Sequence, residues 1–322
     1  MRLASFSYQD SDRIGFEIDG MLFDLNEALK VSGQPQRYAT MMALIEDGER
    51  GLAAAGAAHA HVVANRGAVA GIAAADVRWR PPVRRPSKVL GIAMNNSASD
   101  ARKISAPNHP MFFIKAASSL IGHKEPIVVR DYYGSVHPEP ELAVVIGKEC
   151  RDVAVDDALD NVYGYTILND MTGNGMRAED MVHYYALYPS KDDPNVVERR
   201  EQHLSYAGRY KSTDTFGPMG PWLVTRDEIP DPHLLDVKAW HKDEVIAEDS
   251  TAYYTYGVPE IIAFITRFHT LWPGDVISMG TAFRPSATGK RSLHLANITA
   301  LGGPVSVEIT GLGRLENPVV KE

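Results

Sequence analysis

The sequence predicts an α+β fold, mostly β with some α. Three observations point there. Short apolar runs bounded by Gly and Pro recur from residue 88 to the end, stretches of helical spacing between them are few, and neither a GxGxxG turn nor a Walker loop is present. Many strands with few crossover helices argue against a doubly wound parallel sheet, and the missing loops leave nucleotide cofactors without support. At 322 residues the chain suits a large domain plus an accessory one.

Residues 1–30 alternate short apolar runs, IGFEID then MLFDL, around Asp19-Gly20. Asp-Gly supplies the positive φ of a tight hairpin turn. Residues 38–76 are Ala-rich with helical spacing, and WRPPVRRPSK follows with three prolines in ten residues, unsuited to regular structure. A boundary there separates an N-terminal accessory α+β domain, 1–80, from a catalytic domain, 88–320. Predicted strands are 88–92, 111–114, 141–146, 164–169, 222–225, 276–279 and 305–309. Predicted helices are 155–162, with Asp156 and Asp157 in its first turn, and 259–268, which opens on Pro259 and Glu260 and stops before Pro273-Gly274.

Composition narrows the function classes. Hydrophobic residues at 44% and charged residues at 23% are ordinary for a soluble globular protein, and a net charge of −8 gives no footprint for nucleic acid or an anionic membrane. Cys150 is the single cysteine, so no internal disulfide and no Cys-based zinc site can form. The N-terminus turns polar too early for a secretory signal, and no run of eighteen apolar residues occurs. A soluble, cytoplasmic protein is expected.

The chemistry-bearing stretch is His137-Pro-Glu-Pro-Glu-Leu-Ala-Val-Val-Ile-Gly147. On an extended chain i and i+2 share a face, so Glu139 and Glu141 project together at the mouth of an apolar strand. Two adjacent buried acids repel each other and cost desolvation energy, and a cation removes that cost. Hard oxygen ligands select Mg²⁺, Mn²⁺ or Ca²⁺. A second apolar strand, Gly164-Tyr-Thr-Ile-Leu-Asn-Asp170, also ends on an acid, and Asp170 can supply a third ligand. Taken alone, Glu-x-Glu at a strand start is commonly a solvent-facing pair, and Asn-Asp at a strand end is commonly a turn.

The wider pattern resembles the fumarylacetoacetate hydrolase family. Glu-x-Glu-Leu-Ala-Val-Val-Ile-Gly-Lys is followed at the family's spacing by Gly-Tyr-x-x-x-Asn-Asp. Further motifs come in order: Met111-Phe-Phe-Ile-Lys115 with Ser118-Ser119-Leu120, Lys211-Ser-Thr-Asp-Thr-Phe-Gly-Pro-Met-Gly-Pro221-Trp222, Leu271-Trp-Pro-Gly-Asp275, Gly280-Thr281 and Gly311-Leu-Gly-Arg-Leu-Glu-Asn-Pro318. The resemblance covers about residues 88–320 and implies a twisted mixed β-roll core, commonly a homodimer, with a small-molecule keto acid as partner. It matches Glu139, Glu141 and Asp170 to the metal ligands. Lys211 and Lys115 match catalytic lysines that polarise substrate oxygens or stabilise an enolate, and Gly280 and Thr281 match a contact to a substrate carboxylate.

Four departures stand out. Members that cleave C–C bonds usually carry a His and a Glu on a mobile lid as a water-activating dyad. With Asn95 in the motif asparagine's place, Ser99 and Arg102 fall at those positions, and neither is a competent base near neutral pH. His109 and His123 lie nearby as candidate substitutes. After Asp170 the usual arginine is missing, so Arg177 is the displaced candidate for holding substrate. The interval to Lys211 carries an insertion suited to capping the pocket or extending a dimer contact. Gly-Thr-Pro becomes Gly280-Thr281-Ala282, with Arg284 just beyond as a possible anion partner.

The leading expectation is a divalent-metal hydrolase that cleaves a C–C bond in a diketo or keto acid, in a catabolic pathway of the aromatic-degradation type. The alternative is a decarboxylase, isomerase or hydratase that works through an enolate without water attack. The third is a protein that binds metal or keto acid without catalysis.

Overall fold

The structure is a computed structural model that describes residues 1–284, 287 and 292–322. Its core is a twelve-stranded mixed sheet, and the predicted α+β class holds. Six neighbouring strands form the part that matters for function: Gly217–Thr225, Val162–Asn169, Pro140–Ile146, Val276–Ser278, Val89–Ala93 and Met111–Lys115. Neighbours run antiparallel except Val276–Ser278 and Val89–Ala93, which are parallel. Each of the seven predicted strands is present, with ends shifted by a few residues.

Pro140–Ile146 shows why these runs are wholly apolar. Leu142, Val144 and Ile146 enter one core, shared with the helix Val258–Thr266 and a second sheet of four strands. Ala143 and Val145 enter another, shared with the N-terminal helices. A strand covered on both faces loses the polar alternation of a half-exposed one.

The second sheet runs Glu244–Ser250, Asp236–His241, Val305–Ile309, Gly313–Asn317. The helix predicted at 259–268 spans Val258–Thr266, and Glu260 accepts the Gly257 N–H at 2.6 Å to close its first turn. The stretch predicted as helix over 155–162 is instead a 3₁₀ run, Val155–Asn161.

The N-terminal segment forms the expected hairpin, Ser11–Ile18 to Met21–Asp24, with Asp19 and Gly20 at φ 53° and 82°. Helices Met41–Glu46 and Gly48–Ala64 follow. Its first strand, Arg2–Tyr8, pairs with Gly217–Thr225 through Arg2 opposite Val224 and Leu3 opposite Leu223, so residues 1–80 and 88–320 share one sheet. Within the proline-rich connection, Arg78–Arg80 still pairs with Arg2–Tyr8. The insertion after Asp170 is a hairpin of its own, Val182–Pro189 with Val197–Leu204. Among the described residues, no helix is long and apolar enough to cross a membrane.

Candidate active site

Sheet register assembles the carboxylates. Pro140 pairs with Asn169, which puts the start of one strand beside the end of the next. Asn169 Oδ1 accepts the Glu139 N–H at 2.9 Å, and the Asp170 N–H donates to the Glu139 carbonyl at 2.8 Å. These bonds bring Glu139, Glu141 and Asp170 together, with one oxygen of each within 4.8 Å of the others.

The third strand closes the other side. Ala143 pairs with Ser278, and the chain beyond Ser278 returns across Glu141. Ser278 Oγ and the Gly280 N–H both donate to Glu141 Oε2, the latter at 3.0 Å. Thr281 Oγ1 lies 2.9 Å from Glu139 Oε2 and 3.2 Å from Glu141 Oε1. Gly280 sits at φ 98°, and a Cβ there would lie 2.9 Å from Asn95 Cβ, so the turn requires glycine.

Two lysines enter from the opposite wall. Lys211, on the short helix Gly208–Ser212, donates to Glu139 Oε2 at 2.7 Å and Asp170 Oδ2 at 2.5 Å. Lys115, at the end of its strand and 2% exposed, has Nζ 3.0 Å from Asp170 Oδ1 and donates to the Lys211 carbonyl.

The electrostatics of the cluster are unbalanced. Burial, then the neighbouring Asp170 charge, pushes the Glu141 carboxyl up to about 8. Burial acts the same way on Glu139, but Lys211 and His137 outweigh it and hold that carboxyl well below its ordinary value. Burial pulls Lys115 down, whereas for Lys211 the three carboxylates overcome burial and raise it. Asp170 Oδ1 lies against Lys115 yet is buried without a hydrogen bond of good geometry. An all-oxygen donor set, a carboxyl that resists ionising and an orphaned carboxylate oxygen together fit a hard divalent cation.

The surrounding cleft has a volume of about 480 Å³. Arg177 and Thr281 line it, as do Ser99 and Arg102 from the 3₁₀ segment Ser97–Arg102. Asn95 is a structural tie, its side chain bonded to Tyr256 and Met279 main-chain groups.

Other expectations fail on geometry. His109 is exposed and stacked on Phe264, and His123 packs edge-on against Trp79, where burial pushes it down to about 4. Neither lines the cleft, so neither replaces the missing dyad. Arg284 is committed to the fully buried Asp249 at 3.0 Å and lies over the Tyr253 ring, so it is not an anion partner.

Sequence reading missed His137 and His294. The buried His137 ring takes a hydrogen bond from Asn174 at Nδ1 and contacts Glu139 Oε1 through Nε2. The geometry assigns the proton to Nε2, with the imidazole orienting Glu139. Its place two residues before Glu139 was the available signal. His294 rests against His137 and Phe283, from a part of the chain with no recognisable motif.

Comparison with known proteins agrees with this architecture. Over 328 residues the chain is 30% identical to a protein described as oxaloacetate tautomerase fahd2, mitochondrial, of Xenopus laevis, covering 99% of this chain and 90% of that one. It is 33% identical over 233 residues to an Escherichia coli bifunctional isomerase/decarboxylase of homoprotocatechuate catabolism, covering 72% of this chain and 46% of that one. The crystal structure of maleylpyruvate hydrolase from Sphingobium sp. SYK-6, in complex with manganese(II) and pyruvate, superimposes with a TM-score of 0.69 at 29% identity, covering 100% of this chain and 99% of that one. The family model of the fumarylacetoacetate (FAA) hydrolase C-terminal region matches residues 88–320, and the chain belongs to the fumarylacetoacetate hydrolase family.

Proposed function

We propose that the protein is a divalent-metal-dependent enzyme that interconverts keto and enol forms of an α-keto acid, a tautomerase or isomerase of its family. The carrying observation is the lid segment Ser97–Arg102. Ser99 and Arg102 face the cleft where a water-activating base would stand, and Asp100 is turned to Lys103 at 2.8 Å. Enolisation needs no attack by water on a carbonyl: the proton leaving the carbon passes to solvent water in the cleft, and another returns from solvent to the enol oxygen. Relatives named as an oxaloacetate tautomerase and an isomerase/decarboxylase support the reading.

In this proposal Glu139, Glu141 and Asp170 hold Mg²⁺, or Mn²⁺ or Ca²⁺. When bound, such an ion supplies Lewis acidity that acidifies the carbon beside a chelated keto group. Lys211 Nζ places a fixed positive charge at the edge of the cluster, where enolate charge develops. Lys115, sealed beneath it, fixes both Asp170 and the Lys211 main chain. Gly280 and Thr281 orient the carboxylates and present the Thr281 hydroxyl to substrate, and Arg177 takes up substrate negative charge. All these residues lie in 88–320, which we take as the catalytic domain, with 1–80 accessory. A homodimer in the cytoplasm belongs to the same proposal; light scattering at twice the chain mass checks the assembly.

The test follows enol absorbance of freshly dissolved oxaloacetate with Mg²⁺. Relaxation to keto–enol equilibrium should accelerate, and Glu141→Ala or EDTA should abolish the effect. Acceleration that survives both removes the metal mechanism. C–C hydrolysis is the second reading, favoured by the likeness to maleylpyruvate hydrolase over the whole chain. Two carbonyl fragments released from an acylpyruvate would establish it.

A further inference from the structure

Asp249, on the strand Glu244–Ser250, is a carboxylate buried outside the metal cluster. Its Oδ2 accepts the Asn96 side-chain N–H at 2.8 Å and the main-chain N–H groups of Phe283 and Arg284 at 2.6 and 2.8 Å. Its Oδ1 accepts the Ser250 N–H at 2.8 Å and the Arg284 guanidinium at 3.0 Å. Charge-assisted bonds of this kind are roughly twice as strong as neutral ones, so the groups they tie are held firmly.

Two stretches of the cleft wall meet on this carboxylate. One is the lid segment Ser97–Arg102. Asn96 caps it, with Oδ1 accepting the Ala98 N–H at 2.9 Å, and Arg284 Nη2 donates to Ser97 Oγ at 3.0 Å. The other is the turn after Gly280. With the Phe283 and Arg284 N–H groups tied, Thr281 just before them stays against Glu139 and Glu141, and the Phe283 ring meets the Arg102 guanidinium at 4.0 Å. The Arg284 guanidinium is fixed in turn over the Tyr253 ring, 3.4 Å from its centre. Ser99, Arg102, Thr281 and Phe283 line the cleft, whereas Asp249 and Arg284 lie behind its wall.

We propose that Asp249 and Arg284 form a latch that holds the lid segment Ser97–Arg102 closed against the Gly280–Arg284 turn before substrate arrives. Both are positioning residues, acting through the side chains of the wall and touching no substrate themselves. A lid that must order around its substrate subtracts that ordering from binding, and a latched lid does not. The latch stands on the geometry of the free chain, and only the kinetic part of its test rests on the tautomerase reading.

Hydrogen exchange at the amides of Ala98, Ser99 and Lys103, which are bonded within the lid segment, tests the latch without turnover. In wild type they should be protected about a hundredfold or more over unstructured chain. Arg284→Met, which keeps the main-chain bonds to Asp249, and Asp249→Asn should each speed their exchange about 10- to 100-fold, well beyond any change in Pro140–Ile146 and Val162–Asn169. Ser97→Ala should speed it about 3- to 10-fold, and this mild change decides the matter should Asp249→Asn fail to fold. Unprotected lid amides in wild type, or acceleration spread equally over the lid and the central strands, overturns the latch. With oxaloacetate and Mg²⁺, Arg284→Met should raise KM about tenfold and leave kcat within about twofold; a fall in kcat alone overturns the positioning role. Lid protection in a wild type that does not accelerate tautomerisation sinks the tautomerase reading and upholds the latch.

Discussion

Lys211 is the side chain on which the cluster's charge balance turns in the absence of a cation. Its ammonium bonds Glu139 and Asp170 while nearly all of its own surface is buried. Replacing one member of a buried ionic cluster leaves the others unpaired, at a cost of roughly 3–5 kcal/mol. Lys211→Met should therefore lower thermal stability strongly in EDTA and much less in saturating Mg²⁺, where a cation takes over the compensation. Equal losses in both conditions would show that the lysine acts through packing alone. At this scale the sequence was legible wherever chemistry repeats locally. Strand parity put Glu139 and Glu141 on one face, while the family resemblance singled them out with the strand-end Asp170 as ligands, and the register that joins the three is seen only in the structure. Arg284 was misread because its partner Asp249 lies 35 positions away, and His294 was missed because the fold, not the local sequence, brings it against His137.

Strands are the elements that carry the site, and their close approach can be tested at Gly164. A Cβ there would sit 2.2 Å from the Val224 carbonyl oxygen of the adjacent strand, closer than atoms can come. Gly164→Ala must push Val162–Asn169 away from Gly217–Thr225, and overpacking of this kind costs about 1–3 kcal/mol. Urea unfolding should show a lower midpoint, and an unchanged one would mean that the interstrand spacing is looser than the structure has it. Pro140–Ile146 and Val162–Asn169 were readable because runs buried on both faces are nearly all apolar, and the other predicted strands, such as Met111–Lys115 and Val305–Ile309 with their exposed Ile114 and Glu308, were marked by short apolar runs set off by Gly or Pro. The hairpin Val182–Pro189 with Val197–Leu204 was not. Its second strand, Val-Glu-Arg-Arg-Glu-Gln-His-Leu, is too charged for a core signature, and pairing with its own other half gives it order. The helix at 155–162 came out as 3₁₀, since acidic residues in a first turn favour an N-terminus without selecting the pitch that follows.

For the molecule as a whole, one sheet from Met21–Asp24 to Met111–Lys115 joins the N-terminal segment to the strands bearing the carboxylates. That continuity depends on pairs such as Leu3 with Leu223, separated by most of the chain, so no local pattern could announce it. Stability of the whole fold is consequently linked to proton and cation binding at its centre. The Glu141 carboxyl stands at about 8 in the folded chain against an ordinary 4.5, through burial and then the charge of Asp170. A raised carboxyl favours the protonated folded state, so its stabilisation is complete below pH 4.5 and is lost as pH rises through about 8. A cation requires the ionised form, and below that pH its binding must expel a proton, costing up to tenfold in affinity per pH unit. Ligand binding to the native state raises stability by about 2.7 kcal/mol at a hundredfold excess over Kd. The rise in melting temperature on adding Mg²⁺ in place of EDTA should therefore grow from pH 6 to 8 and level off above. A shift of the same size at pH 6 and pH 8 would mean that Glu141 is already ionised without the cation and that the carboxylates do not need it.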